Sequence, residues 1–134
     1  MLIDVRSSSI SGAGSHGIAG PTAKLTEVTL TDNWVGVASS RRLKGTALTV
    51  TGGGTGVAGG AVTLIGCEAH GAQHNGIQGE RVRLVDCNVT GNNLGGLAGD
   101  VGSYTLPRLD NTVCGTSQVL EQPPGTNWGV CSGD

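Results

Sequence analysis

A repeat of about 20 residues is the feature of this sequence that most limits how the chain can fold. Five similar tetrapeptides begin at Gly17, Gly36, Gly56, Gly76 and Gly96: GIAG, GVAS, GVAG, GIQG and GLAG. Apolar residues precede each of them at matching positions, for example Leu64, Cys67 and Ala69, then Leu84, Cys87 and Val89. A fixed period of this length predicts a solenoid, in which each repeat buries its apolar side against its neighbours.

The composition favours a solenoid with a narrow core. The 134 residues include 25 glycines and no phenylalanine, and only 13% of them are charged. Such a chain lacks the large side chains of an ordinary globular core, but it is not charged enough to be intrinsically disordered. Short strands joined by tight turns, stacked on Val, Leu, Ile, Ala and Cys, satisfy both observations.

Two solenoid folds fit the spacing of the apolar residues. Leu25, Val28, Leu30 and Asn33 also match the leucine-rich repeat pattern. That fold needs a bulky return segment, whereas these repeats return through glycine-rich turns. The last apolar column instead predicts a third short strand in each coil; its members are Ile18, Val37, Val57, Ile77 and Leu97. Three strands per turn indicate an all-β protein, a parallel β-helix.

The stretch LVDCNVTGNNLGGLAGD (84–100) resembles a coil of the right-handed parallel β-helix repeat proteins, the pectate-lyase-like superfamily. The resemblance covers roughly residues 2–110 and implies the C-terminal portion of such a solenoid. We therefore expect five full coils plus a partial sixth within residues 1–110, with Tyr104 and Leu109 pointing inward, and an irregular capping segment at 111–134. The same coil serves lyases, hydrolases, tailspikes and inert scaffolds, so the resemblance implies no single activity.

The four cysteines fall into two classes. Cys67 and Cys87 share one repeat position, and parallel in-register side chains are poorly oriented for a disulfide, so we expect buried free thiols. Cys114 and Cys131 lie in the capping segment, where a disulfide and two free thiols are about equally expected. A disulfide there would indicate an oxidising compartment.

Basic residues fall on the outward positions of the first strand of each coil. Because alternate strand residues face solvent, the period places Lys24, Arg42, Lys44, Arg81 and Arg83 on one sheet of a protein whose net charge is −2. We interpret them, with Trp34 as a ring for sugar stacking, as ligand-binding residues of a scaffold or carbohydrate-binding module for an acidic polysaccharide. The other interpretation is a solvated face that prevents edge association.

The second strand of each coil offers two further functional interpretations. Its outward positions read SIS, TLT, TVT, EAH and NVT, and a Thr-x-Thr array resembles those of ice-binding proteins, which gives a second alternative function. Exposed threonines are, however, common on any β-sheet. Glu68 and His70 interrupt the array, and as a surface pair they are the weak candidates for acid–base catalysis.

An enzyme is the first alternative, and whether the chain is catalytic stays open. Members of the resembled superfamily include polysaccharide lyases and glycoside hydrolases that use clustered aspartates, in the lyases to bind Ca²⁺. No carboxylate pair is stacked on any outward column here, since Glu27 and Asp86 are separated by coils with Ala47 and Gly66. We therefore expect no cofactor and no metal, with Ca²⁺ only in the case of a lyase.

Partners and location follow from composition and from the ends of the chain. The acidic balance and the scarcity of aromatic residues argue against nucleic acid, and no segment reaches the length of a membrane span. The start, MLIDVRSSS, does not have the regions of a signal peptide, yet the fold suggests an extracellular or cell-surface protein. We see no N-terminal cap, so we expect either that a preceding part of a longer protein covers the first coil or that this coil meets another chain in end-to-end self-association.

Overall fold

The computed structural model describes residues 1–134 as an all-β structure with no helix. It therefore contains no apolar helix of membrane-spanning length. Each pair of adjacent strands is parallel. The strands are β1 (Leu2–Ser11), β2 (His16–Thr31), β3 (Val35–Thr46), β4 (Thr49–Thr51), β5 (Thr55–Ile65), β6 (Glu68–His70), β7 (Ile77–Val85), β8 (Asn88–Val89), β9 (Val101–Ser103), β10 (Arg108–Asp110), β11 (Val113–Cys114) and β12 (Ser117–Val119).

The strands wind into a solenoid of about six turns with a spacing of about 20 residues. Three faces run along it. Face A consists of residues 2–6, 22–26, 42–46, 61–65, 81–85 and 108–110. Face B consists of residues 8–11, 28–31, 49–51, 68–70, 88–89 and 113–114. Face C consists of residues 16–20, 35–39, 55–59, 77–79, 101–103 and 117–119. The parallel β-solenoid prediction is confirmed, and the leucine-rich alternative is wrong.

The pairing register is the one that the period predicts. On face A, Lys24 pairs with Lys44, and Thr63 pairs with Arg83. On face B, Thr29 pairs with Thr49. The period is kept although one coil carries an extra residue, because a β-bulge between Ser39 and Arg42 absorbs it at the corner before face A.

The corners repeat one backbone conformation, which explains why the turns stack. Between faces A and B, all six coils place one residue in the left-handed region: Ser7, Glu27, Ala47, Gly66, Asp86 and Asn111, with φ between 44° and 63°. Between faces B and C the equivalent residues are Gly12, Asp32, Gly52, Gly71 and Gly91. Glycine enters this region at no steric cost, and Asp and Asn tolerate it better than other residues. The chain therefore turns in the same way at successive levels.

The interior is a continuous cluster of small apolar side chains. Leu25, Leu30, Leu43, Leu64 and Leu84 are fully buried, as are most of the valines beside them, whereas Ile3, Val5 and Ile10 of the first coil are partly buried. In a solenoid each side chain packs against its counterparts one coil above and below, so burial is supplied by neighbouring repeats.

Two buried asparagines fix the corner between faces B and C. Asn33 accepts a hydrogen bond from the Ala13 amide at 2.9 Å and donates one to the Ile10 carbonyl at 3.0 Å. Asn92 repeats both bonds with Ala72 and Ala69 at 3.1 and 2.8 Å. Each asparagine joins its own coil to the preceding one and satisfies backbone groups that the turn leaves unpaired.

The last glycine tetrapeptide, GLAG (96–99), does not continue the inward column of face C, although the sequence period predicts that it does. The face C column runs through Ile18, Val37, Val57 and Ile77, but its next member is Val101 rather than Leu97, which is 70% exposed. Residues between Asn92 and Asp100 form a longer loop, and the buried Asp100 carboxylate anchors it by accepting a hydrogen bond from the Asn92 amide at 2.8 Å. The prediction of an inward Leu97 is wrong, because the loop carries a copy of the motif away from the core.

Tyr104 is a second correction. The sequence predicts an inward position in the sixth coil, but the residue is 46% exposed and its hydroxyl hydrogen-bonds to Glu121. Leu109 does point inward, pairing with Leu84 and packing against the core. The chain between Ser103 and Arg108 leaves the regular coil, because bends and Pro107 interrupt the strand before β10.

The cysteines form two disulfides, so no thiol is free. Cys67 bonds to Cys87 in the next coil, and Cys114 bonds to Cys131. The expectation of buried free thiols at Cys67 and Cys87 is wrong. Their Cα atoms lie 4.5 Å apart, which is within the range that a disulfide spans, so stacking in register brings the sulfurs together.

The C-terminal segment completes and closes the sixth turn. Strands β11 and β12 continue the ladders of β8 and β9 into residues 111–134. The Asp134 carboxylate then accepts hydrogen bonds from Ser117 and from the Val130 and Cys131 amides. Trp128 lies against the last coil and donates its indole N–H to the Gln118 carbonyl at 3.1 Å, as a capping residue would.

Candidate functional site

Face A gathers the basic side chains of the protein. Lys24, Arg42, Lys44, Arg81 and Arg83 are all exposed on it, in two neighbouring columns. Of the other three basic residues, Arg6 and Arg108 also lie on face A, and Arg41 lies at the bulge beside it. Faces B and C carry no lysine or arginine.

The cations in the middle of face A share it with no carboxylate. The segments 22–26, 42–46, 61–65 and 81–85 contain five cations and no Asp or Glu. Carboxylates occur only at the two ends of the face. Asp4 lies opposite Lys24 in the ladder but binds Arg6 at 3.1 Å, and Asp110 lies 3.9 Å from Arg83.

The ion pairs at the ends leave the other cations of face A unpaired. The hydrogen bond from Arg6 holds the pKa of Asp4 below its usual value. No ion pair involves Lys24, Arg42, Lys44 or Arg81. These four side chains are therefore free to meet an anion from outside the protein.

The sequence period did not predict one basic residue of face A, Arg108. Arg108 pairs with Arg83 and extends the column formed by Lys24, Lys44 and Thr63 into the sixth coil. It lies later in the chain than the period predicts, mainly because the loop between Asn92 and Asp100 lengthens that coil, and the excursion at residues 104–107 adds one further residue. The pattern of a basic residue directly before the inward Leu109 could have signalled it.

Face B places the threonines as expected but does not join Glu68 to His70. Thr31 pairs with Thr51, and the array ends where Thr51 meets His70. The His70 Nδ1 lies 2.9 Å from the Thr90 carbonyl, to which it donates when Nδ1 carries the proton, while Glu68 is exposed and makes no side-chain hydrogen bond. The surface pairing of Glu68 and His70 is therefore absent, and His70 is tied to the next coil.

Face C and its corner with face A form a groove of about 890 Å³. Its floor is made of small residues such as Ala38, Ala58 and Gly60, and Glu80, Tyr104 and Glu121 line one end of it. The Tyr104 hydroxyl donates to Glu121 at 3.1 Å, and this bond, together with burial and the negative charge, raises the pKa of Tyr104. The period could not reveal the pair of carboxylates, since Glu121 lies outside the repeats.

Trp34 occupies the corner between faces B and C, as its position after Asn33 predicts. The side chain is 56% exposed, and its ring lies edge-to-face with His74 at a centroid separation of 6.0 Å and an interplanar angle of 89°. A shallow groove of about 410 Å³ passes the ring and is also lined by Asp32 and Gln73. This corner is separate from the cations of face A.

No cluster of three or more His, Cys, Asp or Glu side chains is arranged to hold a metal ion. Comparison with protein-family models found no match to the chain, and neither did searches of curated proteins and of solved structures.

Proposed function

We propose that this protein is a non-catalytic β-helix scaffold module that binds an acidic polysaccharide through face A. The observation that carries the proposal is the row of cations, without a carboxylate among them, on the four middle segments of that face. A solvated protein surface usually mixes both signs of charge, whereas the middle of face A carries cations alone. The β-solenoid fold supplies the rigid, straight platform that such a row needs.

The like charges on face A destabilise the fold in the absence of a ligand. Lys24 and Lys44 are direct cross-strand neighbours, and so are Arg83 and Arg108. Neighbouring strands lie about 4.8 Å apart, and like charges directly opposite each other destabilise a sheet. At that separation in water the repulsion is about 1 kcal/mol per pair at most. A polyanion laid along the solenoid axis would remove the repulsion and gain ion contacts in several coils.

The polymer should meet two clusters rather than one unbroken strip. The fourth segment of face A presents Ala61 and Thr63 between the cations of its neighbours. Lys24, Arg42 and Lys44 form one cluster, and Arg81 and Arg83, with Arg108, form the other. A chain of acidic sugars can bridge this gap because its carboxylates repeat along its length. We therefore expect modest affinity that falls as salt rises, since exposed contacts are screened over about 8–10 Å.

The test is binding of polygalacturonate at 20 and 150 mM NaCl, measured by calorimetry. Replacing Arg42, Lys44, Arg81 and Arg83 by Gln should weaken binding at least tenfold at low salt. R6Q is the matched control, because Arg6 lies on the same face but is already paired with Asp4, and it should change affinity less than twofold. Fully methyl-esterified pectin, which has the same backbone without charge, should not bind.

Two outcomes would overturn this function. The first is a quadruple variant that binds polygalacturonate as tightly as the parent. The second is equal binding of the esterified polymer, which would show that charge is not recognised. Tighter binding of double-stranded DNA than of polygalacturonate would identify a different class of partner and would equally contradict the proposal.

The location we propose is extracellular or at the cell surface. Two disulfides support it, since disulfides form and persist in oxidising compartments. Acidic polysaccharides are also polymers of cell surfaces and matrices.

A polysaccharide lyase or hydrolase is the second candidate, and Glu80 and Glu121 at the end of the face C groove favour it. A pair of carboxyl groups is the usual machinery for cleaving a glycosidic bond. Incubation with pectate and alginate, with and without Ca²⁺, should reveal unsaturated product near 235 nm for a lyase or new reducing ends for a hydrolase. Turnover that E80Q and E121Q abolish, with R6Q active, would replace the scaffold function by this one.

A further inference from the structure

The corner around Trp34 is built differently from the same corner in the other coils. Trp34 aligns with Gly54 and His74 in the next two coils, as the amide of Gly54 donates to the Trp34 carbonyl at 3.0 Å and the amide of His74 to the Gly54 carbonyl at 2.8 Å. A Cβ atom at Gly54 would lie 3.0 Å from Cε3 and 3.1 Å from Cδ2 of the Trp34 ring. The ring therefore lies across the missing side chain of Gly54 and meets the edge of His74 beyond it.

This packing holds the ring in place while leaving much of it open. Gly54 supports it from the coil side, and His74 contacts it edge-to-face, a favoured geometry for an aromatic pair. The side chain nevertheless stays 56% exposed, in a protein with only two tryptophans, one tyrosine and no phenylalanine. A rigid, exposed aromatic plane loses little entropy when a ligand stacks on it.

Asp32 is the second unusual feature of this corner. The four equivalent positions in other coils are Gly12, Gly52, Gly71 and Gly91, all with positive φ. Asp32 adopts the same conformation at φ 52°, where a residue with a Cβ atom is less stable than glycine. Its carboxylate forms no hydrogen bond or ion pair within the protein. The Asp32 carboxylate is therefore free to bind a ligand in the groove that it lines.

The polar groups of the groove complete the arrangement. Asp32 and Gln73 line the groove beside Trp34, and His74 flanks the ring. The side chains of Gln73 and His74 likewise make no hydrogen bond within the protein and are exposed. One aromatic plane is thus surrounded by a carboxylate, an amide and an imidazole that have free hydrogen-bonding capacity.

We propose that this corner is a binding subsite for one or two pyranose rings of a neutral sugar chain. The flat C–H face of a pyranose stacks on an indole ring, while its hydroxyl groups donate to Asp32 and exchange hydrogen bonds with the Gln73 amide. The ligand is neutral because the Asp32 carboxylate, the one charged side chain lining the groove, would repel an acidic sugar. The site is independent of the basic residues of face A, none of which lines it.

The experiment is a titration of the ¹⁵N-labelled full chain with cellohexaose, xylohexaose and mannohexaose. We expect at least one of them to shift the indole signal of Trp34 and the side-chain amide of Gln73, with the indole of Trp128 unmoved. W34A should weaken that binding at least tenfold. The quadruple face A variant should bind the neutral hexasaccharide as the parent does, so failure of the acidic-polymer proposal and failure of this one are distinguishable.

D32G separates a binding role of Asp32 from a structural one. Restoring the glycine that other coils carry should raise the midpoint of thermal unfolding, yet it should weaken hexasaccharide binding about fivefold. A47G is the matched control, since Ala47 has the same left-handed conformation at φ 54° on the corner between faces A and B. It should also raise the midpoint but leave binding unchanged.

The proposal fails if none of the three hexasaccharides shifts the Trp34 indole at millimolar concentration. It also fails if W34A binds as the parent does, or if D32G leaves the affinity unchanged.

Discussion

A substitution of Gly56 by alanine tests how closely the coils of this solenoid are packed. Gly36, Gly56 and Gly76 stack in adjacent turns on face C and at its edge, close to the core. A Cβ atom at Gly56 would fall well inside 3.0 Å of the Gly76 carbonyl oxygen, a separation that real Cβ atoms essentially never show, and 3.1 Å from Cγ1 of Val50. The obstructing atom belongs to the backbone and cannot rotate away.

The cost has two sources. The Gly76 carbonyl accepts a hydrogen bond from the Val57 amide at 2.9 Å, so displacing it weakens a bond of the ladder. A lost hydrogen bond costs about 0.5–1.5 kcal/mol net, and overpacking a well-packed core costs about 1–3 kcal/mol. We therefore expect G56A to lower the free energy of unfolding by about 2–4 kcal/mol, a large share of the roughly 5–15 kcal/mol of a typical domain.

Urea unfolding followed by far-UV circular dichroism measures the change. G14A is the matched control, because Gly14 is exposed, lies outside the left-handed region, and has no atom within 4 Å of the added Cβ. Alanine at such a position should stabilise by about 0.4–1 kcal/mol, since it restricts the unfolded chain. Equal stability of G56A and the parent, or equal losses in G56A and G14A, would refute the reasoning.

Three further predictions concern the rest of the chain. Alkylation in guanidinium without reductant should leave all four cysteines unmodified, and uptake of alkyl groups would contradict the disulfides. The variant C67A/C87A removes a covalent link between coils and should lower the free energy of unfolding by about 3 kcal/mol. Burial raises the pKa of Asp134, but hydrogen bonds from Ser117, Cys131 and Val130 outweigh it, so the pKa lies below the usual 3.8. The stabilisation that the Asp134 carboxylate gives the C-terminal segment is then complete above pH 3.8 and is lost as the pH falls through the lower pKa of the folded state. In the parent protein, Trp128 fluorescence should therefore report opening of this segment in acid. In D134A it should report opening already at neutral pH. Within these 134 residues the edge of β1 opposite β2 is unpaired, so we expect either end-to-end association, detected by light scattering, or fraying of the first coil; a strict monomer with fully protected amides at residues 2–10 would contradict both.

The repeat in the sequence was enough to predict the solenoid and most of its surface. The side-chain alternation of a strand has a period of two, and the coil has a period of about 20 residues, so the two together assign most repeat residues to a face and a column. Lys24 and Lys44, or Thr29 and Thr49, pair as the period predicts. The Ca²⁺, cofactor and partner expectations had no such support, because a period describes position and not recognition.

The tertiary structure alone decided the features that depart from the period. Val101 replaces Leu97 in the core because the loop before Asp100 shifts the register, and a glycine-rich loop carries no signal of its own length. Tyr104 and Glu121 meet beside Glu80 because two segments outside the regular repeats fold back to the same end of a groove. The Trp34 ring reaches His74 only because Gly54 leaves space between them. Such contacts depend on how side chains fill the volume between coils, whereas the sequence period assigns a residue only to a coil, a face and a column.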